Sequence, residues 1–283
     1  MTAPIRLEGY ALHRGVRSAV TLVRRDGPIT FEQGGQQAPL SRLMVQRSDG
    51  GVALSNGQGV ELDLVEHLLA ALAGLGIRRG VTAIVEGAEL PILDGGARAF
   101  VEALAALELP ARPAERAELV VSRSGSVSAG ASSYTFEVAE ATSLSIEAEF
   151  DHPAIGTERA SWDGSARAFA DSIASARTFG FQADALELWR HGRAALARSE
   201  EPREREAFWR AVIVYDATGP IAAPGRAPPS AGEIGRHKLL DLIGDFGLHG
   251  GPPEGRVFAS RPGHTASIRI IREALALGIL SRR

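Results

Sequence analysis

The hydrophobic and polar positions of the chain form two stretches that follow the same order, with strands first and helices afterwards. In the first stretch, short apolar runs predict strands at residues 18–23 and 81–85. An almost uninterrupted apolar run from Val65 to Leu75 predicts a helix, and an amphipathic helix is predicted from about Ala97 to Leu107. Two prolines within Leu109–Pro113 predict a linker, because proline stops a helix.

The second stretch repeats this order. Strands are predicted at 118–122, 133–138 and 144–150, and helices near 183–193, 236–246 and 267–280. We therefore expect an α+β fold of two similar domains, residues 1–110 and 114–283, each a sheet with helices.

Residues 190–210 are dense in Arg and Glu, and residues 217–232 are rich in Pro, Gly and Ala. The first segment predicts a solvated helix with weak i,i+4 ion pairs, and the alternative is a basic strip that helps to hold an anionic substrate. The second segment predicts a loop.

Composition narrows the class of protein. The 283 residues are 45% hydrophobic and 23% charged, with a formal net charge of −3, which argues against broad binding to nucleic acid or membranes. The absence of cysteine excludes disulfides and thiolate metal sites, so a metal would be held by His and carboxylates, as in zinc, iron or manganese sites. No apolar run reaches about 18 residues, and the N-terminus lacks a signal-peptide core; we expect a cytoplasmic protein.

The chain contains one lysine among 31 basic residues, and it lies within the segment Arg236–Asp241. A position that stays Lys among thirty arginines indicates a need for a compact ammonium group rather than a planar guanidinium. Its neighbours His237 and Asp241 are four residues apart, so on a helix both can reach one metal ion. The alternative is a pair that only forms a hydrogen bond.

Glu66 and His67 begin the most apolar helix of the first stretch. Ionisable residues are costly to bury there unless they are used or paired. His67 is the candidate third metal ligand, and Glu66 is the candidate general base beside a metal-activated water. The alternative is an N-terminal turn that exposes Glu66 toward the helix dipole.

Four further residue groups could complete a site. His264 follows Pro262-Gly263 and is a candidate cation or acid, with Asp245, one helical turn after Asp241, as its hydrogen-bond partner. Thr178 could donate a hydrogen bond to a polarised carbonyl. Phe179 and Phe181 could belong to a hydrophobic core as readily as to a site.

The remaining histidines are interpreted as surface or structural residues, namely His13, His152, His191 and His249.

Taken together, these segments resemble the zinc-dependent UDP-3-O-acyl-N-acetylglucosamine deacetylases of lipid A synthesis. The matching motifs run in order through most of the chain: Gly9-Tyr10-Ala11-Leu12-His13, Val65-Glu66-His67-Leu68, Ala70 to Ile77, Glu89 to Gly95, Ala176 to Phe181, Arg236 to Asp245 and Gly263-His264.

The resemblance implies a role for each candidate. It implies that His67, His237 and Asp241 bind Zn²⁺, and Fe²⁺ is an alternative because it also suits two histidines and a carboxylate. It implies Glu66 as general base, His264 with Asp245 as general acid, Thr178 as an oxyanion donor, and Lys238, Phe179 and Phe181 as substrate-binding residues. The implied fold packs the helix layers of two domains together, with the site between them, and the implied substrate is a UDP-linked acylated amino sugar. We expect the protein to be a monomer.

Departures from the family concern the substrate more than the chemistry. Leu64 replaces the family's Thr, and the stretch from 188 to 230, which would hold the acyl chain, lacks the family's Gly-Gly-Ser segment. We expect hydrolysis of the N-acetyl group of the UDP-linked substrate. The alternatives are a divergent paralogue that deacetylates another amino sugar and a binding protein that has lost catalysis.

Overall fold

Two five-stranded sheets form the framework of the molecule. The computed structural model describes residues 3–109, 117–223 and 225–283. The first half contains β1 (Ile5–Tyr10), β2 (Arg17–Pro28), β3 (Thr30–Gln33), β4 (Gln36–Pro39), β5 (Met44–Arg47), β6 (Ala53–Ser55), β7 (Glu61–Leu62) and β8 (Arg79–Glu86), with helices α1 (Glu66–Gly74) and α2 (Arg98–Ala106).

The second half adds more short elements. Its strands are β9 (Leu119–Val121), β10 (Gly125–Ala129), β11 (Ser132–Glu137), β12 (Ser143–Glu149), β13 (Thr157–Trp162), β14 (Thr178–Phe181), β15 (Val212–Tyr215), β16 (Arg256–Ser260) and β17 (Leu280–Arg282). Its helices are α3 (Ala166–Ala168), α4 (Ala185–Arg190), α5 (Pro202–Ala211), α6 (Glu233–Gly247) and α7 (His264–Ala276).

The two large sheets share one topology. Their strand orders are β1-β2-β8-β3-β4 and β10-β11-β16-β12-β13. Each has a single parallel pair, β3 with β8 and β12 with β16, and its other neighbours are antiparallel. In each half a helix lies directly before the central strand in the chain and another directly after it, so α1 corresponds to α6 and α2 to α7. The similar plan predicted for the two halves is therefore confirmed as an α+β fold.

The inward faces of both sheets follow the period-two pattern of their sequences. In β12, Leu144, Ile146 and Ala148 are buried while the residues between them are less so. In β11, Tyr134 and Phe136 alternate with more exposed neighbours in the same way. These side chains belong to one hydrophobic core that also contains residues of the first sheet and of both helix layers.

The helix layers meet where α1 packs against α6. Every residue of α1 is buried, as its apolar sequence predicts for a helix covered on all sides. A Cβ on Gly244 of α6 would collide with the backbone carbonyl of Glu66, so glycine allows the two helices to approach closely there. This packing brings the N-terminal turn of α1 beside the middle of α6.

Several predicted boundaries shift. Helix α4 covers only part of the predicted 183–193 segment. Helix α7 begins three residues earlier than predicted and ends at Ala276, because the chain then reverses and Leu280 pairs with Val121 of β9. The predicted linker and the boundary between the predicted domains fall on or beside residues 110–116, which lie outside the described residues, so the domain limits stay a prediction. Among the described residues, no helix combines the length and hydrophobicity needed to cross a bilayer.

Candidate active site

The contact between α1 and α6 brings three predicted metal ligands together. One ligand atom from each of His67, His237 and Asp241 lies within 4.8 Å of the other two, and all three residues are buried. Two imidazoles and one carboxylate are a ligand set that zinc and iron accept. Because His67 comes from the first half and the other two come from the second, the group exists only when the halves are packed together.

The orientation of His237 suits a metal ligand. Its Nδ1 lies 3.0 Å from the carbonyl oxygen of Ala176, which can only accept, so Nδ1 carries the hydrogen. The lone pair of Nε2 is then available, and Nε2 lies 3.4 Å from Oδ1 of Asp241. A metal-binding histidine commonly donates its other ring N–H to a carbonyl in this way, which fixes the ring.

The ionisation states of the three candidate ligands also suit the binding of a metal cation. Burial lowers the pKa of His67 to about 3, so this imidazole is neutral and able to coordinate. Burial lowers the pKa of His237 as well. Burial opposes ionisation of Asp241, but the charge of Lys238 and the smaller effects of the neighbouring histidines together outweigh burial and hold the carboxyl pKa below its usual range. Nζ of Lys238 donates to Oδ2 of Asp241 at 2.9 Å.

Glu66 is held inside the site rather than at the surface. It is only 2% exposed, and the backbone N–H of Val52 donates to its Oε2 at 2.9 Å. Burial raises its pKa to about 7, while the charge of His264 opposes the rise. A carboxyl group that titrates near neutral pH can accept and release a proton there. The alternative of an exposed Glu66 at the N-terminal turn of the helix is wrong, because the side chain is buried there.

His264 begins α7 and faces the same space. Its Nδ1 lies 2.7 Å from Oδ1 of Asp245, a residue only 1% exposed, and its Nε2 lies 3.9 Å from Oε1 of Glu66. Burial by itself would lower the pKa of His264, but the carboxylates of Asp245, Asp241 and Glu66 outweigh it and raise the pKa to about 10. The imidazole is therefore charged at neutral pH.

A cavity of about 910 Å³ connects these groups to an apolar region. Its polar end is lined by residues already named: Glu66, His67, His237, Lys238, Asp241 and His264. Its apolar end is lined by Leu12, Leu188, Trp189, Phe208, Trp209, Val212, Val214 and Ile221. Thr178, Phe179 and Phe181 of β14 line the cavity too. Every residue predicted for the site except Asp245 thus lines one cavity, and Asp245 bonds His264 from behind.

Phe179 and Phe181 belong to an aromatic cluster as well as to the cavity wall. The ring of Phe179 stands edge-on to His237 with centroids 6.0 Å apart, and Phe181 stacks on His152 at 5.6 Å. The two phenylalanines therefore pack against a hydrophobic cluster and also line the cavity, and their contact with a substrate stays a prediction. The contact of His152 was not predicted, because it joins chain segments that lie about thirty residues apart.

A second feature was also not predicted from the sequence. Residues 48–51, which we call the 48–51 loop, lie directly against Glu66, and His13 contacts this loop through a hydrogen bond. The adjacent pair Gly50-Gly51 was the available signal, because paired glycines allow close backbone approach to a crowded site.

Comparisons with known proteins agree with this geometry. The model of the LpxC family, UDP-3-O-acyl N-acetylglycosamine deacetylase, matches residues 1–276. A protein of Myxococcus xanthus (strain DK1622) is 33% identical over 277 residues, covering 95% of this chain and 83% of the relative. A protein of Pseudomonas entomophila (strain L48) is 32% identical over 281 residues, covering 96% and 88%. Both relatives carry the name UDP-3-O-acyl-N-acetylglucosamine deacetylase.

Proposed function

The chain belongs to the UDP-3-O-acyl N-acetylglycosamine deacetylase family, and from that membership we propose that it hydrolyses the N-acetyl group of UDP-3-O-acyl-N-acetylglucosamine, a step of lipid A synthesis. The observation that carries the proposal is that two side chains able to transfer a proton lie beside a set of residues that could bind a metal ion. Glu66 and the charged His264 face each other across 3.9 Å beside the group of His67, His237 and Asp241.

The proposed metal is Zn²⁺, with Fe²⁺ as the alternative. Three protein ligands leave a coordination position open, as catalytic zinc sites require. When bound, the ion would supply a Lewis acid that polarises the amide carbonyl and lowers the pKa of a water molecule toward about 7.

Glu66 is proposed as the general base. Its carboxylate is anchored through Oε2 by Val52, which leaves Oε1 to face the cavity and take the proton of the attacking water. With a pKa raised to about 7, the group exists in both protonation states near neutral pH, which suits repeated proton transfer.

His264 is proposed as the general acid, and Asp245 as the residue that keeps it charged and oriented. The bond from Nδ1 to Asp245 leaves Nε2–H directed at the cavity, where it can stabilise the developing oxyanion and then protonate the departing amine. Thr178 lines the same cavity and is proposed as a second oxyanion donor. Lys238 would add a positive charge for the substrate near its diphosphate or its reaction centre.

The two ends of the cavity fit the two parts of the proposed substrate. The charged groups of the polar end suit the amino sugar and its nucleotide, whereas the apolar end suits an acyl chain. Phe179 and Phe181 line the same cavity and are proposed to contact the sugar. A monomer and a cytoplasmic location, both predicted from the sequence, belong to the proposal as well.

One observation favours a second candidate substrate. The walls of the apolar end come largely from residues 185–221, which overlap the stretch that departs from the family pattern. A paralogue that deacetylates another N-acetyl amino sugar would keep the polar end and change these walls. A binding protein without activity would need none of the proton carriers, so their joint presence argues against that alternative.

The decisive experiment compares purified, zinc-loaded protein on acylated and non-acylated UDP-N-acetylglucosamine, with acetate release as the readout and metal content measured on the same samples. We expect about one zinc per chain and rapid turnover of the acylated substrate alone. Equal turnover of both substrates would favour the paralogue, and the absence of both turnover and bound metal would favour the binding protein.

A further inference from the structure

The 48–51 loop forms the wall of the site next to the carboxylate of Glu66. A Cβ on Gly51 would lie 3.0 Å from Oε1 of Glu66, and Val52, which directly follows the loop, donates its backbone N–H to Oε2 at 2.9 Å. The position of this backbone therefore determines where the carboxylate points.

The two glycines of the loop cannot hold this position through side chains of their own. Gly50 and Gly51 adopt φ angles of 62° and 123°, in the region that favours glycine, and neither residue offers a side chain for packing. Its described contacts come from outside the loop. Arg47 donates to the carbonyl of Asp49 at 2.6 Å, and Thr265 of α7 donates to the carbonyl of Ser48 at 2.9 Å.

Arg193 contacts the middle of the loop. Its guanidinium packs directly on Gly50, where any Cβ would collide with Nη1, and Nη1 lies 3.5 Å from the carboxylate of Asp49. The side chain of Arg193 is only 14% exposed, whereas that of nearby Arg190 is 75% exposed. Arg193 thus differs from the solvated charges that the Arg-rich sequence of this segment predicts.

His13 forms the second contact to Gly50. The backbone N–H of Ala194 points to Nδ1 of His13 at 3.4 Å, so Nδ1 accepts and Nε2 carries the hydrogen. Nε2–H then donates to the carbonyl of Gly50 at 2.8 Å. Burial lowers the pKa of His13, which keeps it in this neutral form.

The backbone around Arg193 is itself fixed to the first half of the chain. The N–H groups of Ala195 and Leu196 donate to the carbonyls of His13 and Leu12 at 3.1 and 3.2 Å. Arg193 therefore projects from a segment that is anchored beside His13, and both side chains reach the same residue of the loop.

We propose that Arg193 is a positioning residue, which holds the 48–51 loop against Glu66 together with His13 and so keeps the carboxylate aligned for proton transfer. The kinetic part of this inference rests on the proposed role of Glu66. It assigns a function in the reaction to the segment that departs most from the family, although this segment contributes no group that touches the reacting atoms. A displacement of about 1 Å at a reacting group can cost up to about a hundredfold in rate.

The test compares Arg193→Met with Arg190→Met, a matched control on the same segment. For Arg193→Met we expect kcat to fall about tenfold with KM changed less than about twofold, since Arg193 acts on the loop from behind and is not among the residues that line the cavity. Metal content and melting temperature should match those of Arg190→Met. Arg193→Lys should recover part of kcat, because an ammonium keeps the charge near Asp49 but cannot cover Gly50 as a planar group does.

Hydrogen exchange of the Val52 amide gives a readout that does not depend on activity. We expect faster exchange in Arg193→Met than in Arg190→Met, since the amide loses its fixed acceptor when the loop moves. Equal exchange and equal kcat in the two variants would overturn the proposal. If the wild-type chain proves inactive, faster exchange still supports the bracing by Arg193, and only the role of Glu66 fails. Should Arg193→Met fold poorly, Arg193→Lys carries the same comparison.

Discussion

The two ends of the cavity are built in different ways. The polar end lies on α1, α6 and the first residue of α7, which are helices of the repeated framework, and its charged groups are held by one another or by the backbone. The apolar end is formed mainly by α4, α5, β15 and the segments between them, which have no counterpart in the first half. The repeated framework thus carries the chemistry, and the added segment shapes what the chemistry acts on.

This division has a physical origin. Proton carriers and metal ligands must be held to within fractions of an ångström, and packed helices achieve this better than loops. An apolar wall needs only the right shape and area, which many sequences can supply. The two ends should therefore respond differently to substitution: kcat should depend on the polar end, and the preference among substrates on the apolar end.

The largest effect should follow removal of the general base. In Glu66→Ala we expect kcat to fall by about 10²- to 10⁴-fold, since proton transfer contributes that much, while zinc content stays unchanged because Glu66 is not among the proposed ligands. Steady-state kinetics with metal analysis on the same sample measures both. Glu61→Ala, at an exposed position of β7, is the control. Near-normal turnover in zinc-loaded Glu66→Ala would show that Glu66 is not the general base.

The polar end was also the part that the sequence predicted best. The apolar run of α1, the i,i+4 spacing of His237 and Asp241 and the pairing of Glu66 with His67 are local patterns, and local patterns report helix faces. All three proved to meet at one point of the fold. The resemblance to the family assigned the remaining residues to the same site, and the roles that it implies stay predictions.

The apolar end and the 48–51 loop were not predictable in the same way. The contact of His13 with Ala194 joins residues 181 positions apart, and no periodicity of either segment records it. Arg193 lies in an Arg/Glu-rich segment whose composition indicates solvation, and only the tertiary contact with Gly50 distinguishes it from Arg190.

A substitution of Asp245 tests whether this residue keeps His264 charged or only orients it. In Asp245→Asn the carboxylate that keeps His264 protonated is lost, so the pKa of His264 should fall from about 10 toward its ordinary value. Because a general acid acts only when protonated, the alkaline fall of kcat/KM should move to lower pH. We expect a loss of about tenfold at neutral pH, measured as pH–rate profiles from pH 5 to 10.

The control for this prediction is Asp171→Asn at an exposed site, which should leave the profile unchanged. If Asp245→Asn lowered the rate equally at every pH, Asp245 would orient His264 without setting its charge.

The single lysine tests whether the polar end requires a compact ammonium. In Lys238→Arg the bond of 2.9 Å to Asp241 would have to be made by a larger planar group at a position where the lysine side chain is only 15% exposed. We expect kcat/KM to fall by about five- to tenfold. Arg236→Lys, the reverse exchange two residues away on the same helix, should change it less than twofold. Normal kinetics for Lys238→Arg would show that this position needs only a positive charge.

The smallest effect should come from the apolar end, where Trp209 of α5 lines the cavity and stands edge-on to Phe208 with ring centroids 5.3 Å apart. In Trp209→Leu the indole is replaced by a smaller apolar group, which removes part of the surface that an acyl chain would cover. A loss of about 1 kcal/mol of apolar contact corresponds to a rise of about fivefold in KM. We expect this rise for the acylated substrate, with kcat unchanged and with any residual turnover of the non-acylated substrate unaffected.

Kinetics on both substrates, with Leu186→Ala at an exposed position of α4 as control, measures the difference. If Trp209→Leu lowered kcat for both substrates equally, the apolar end would take part in the chemistry and the division between the two ends would not hold.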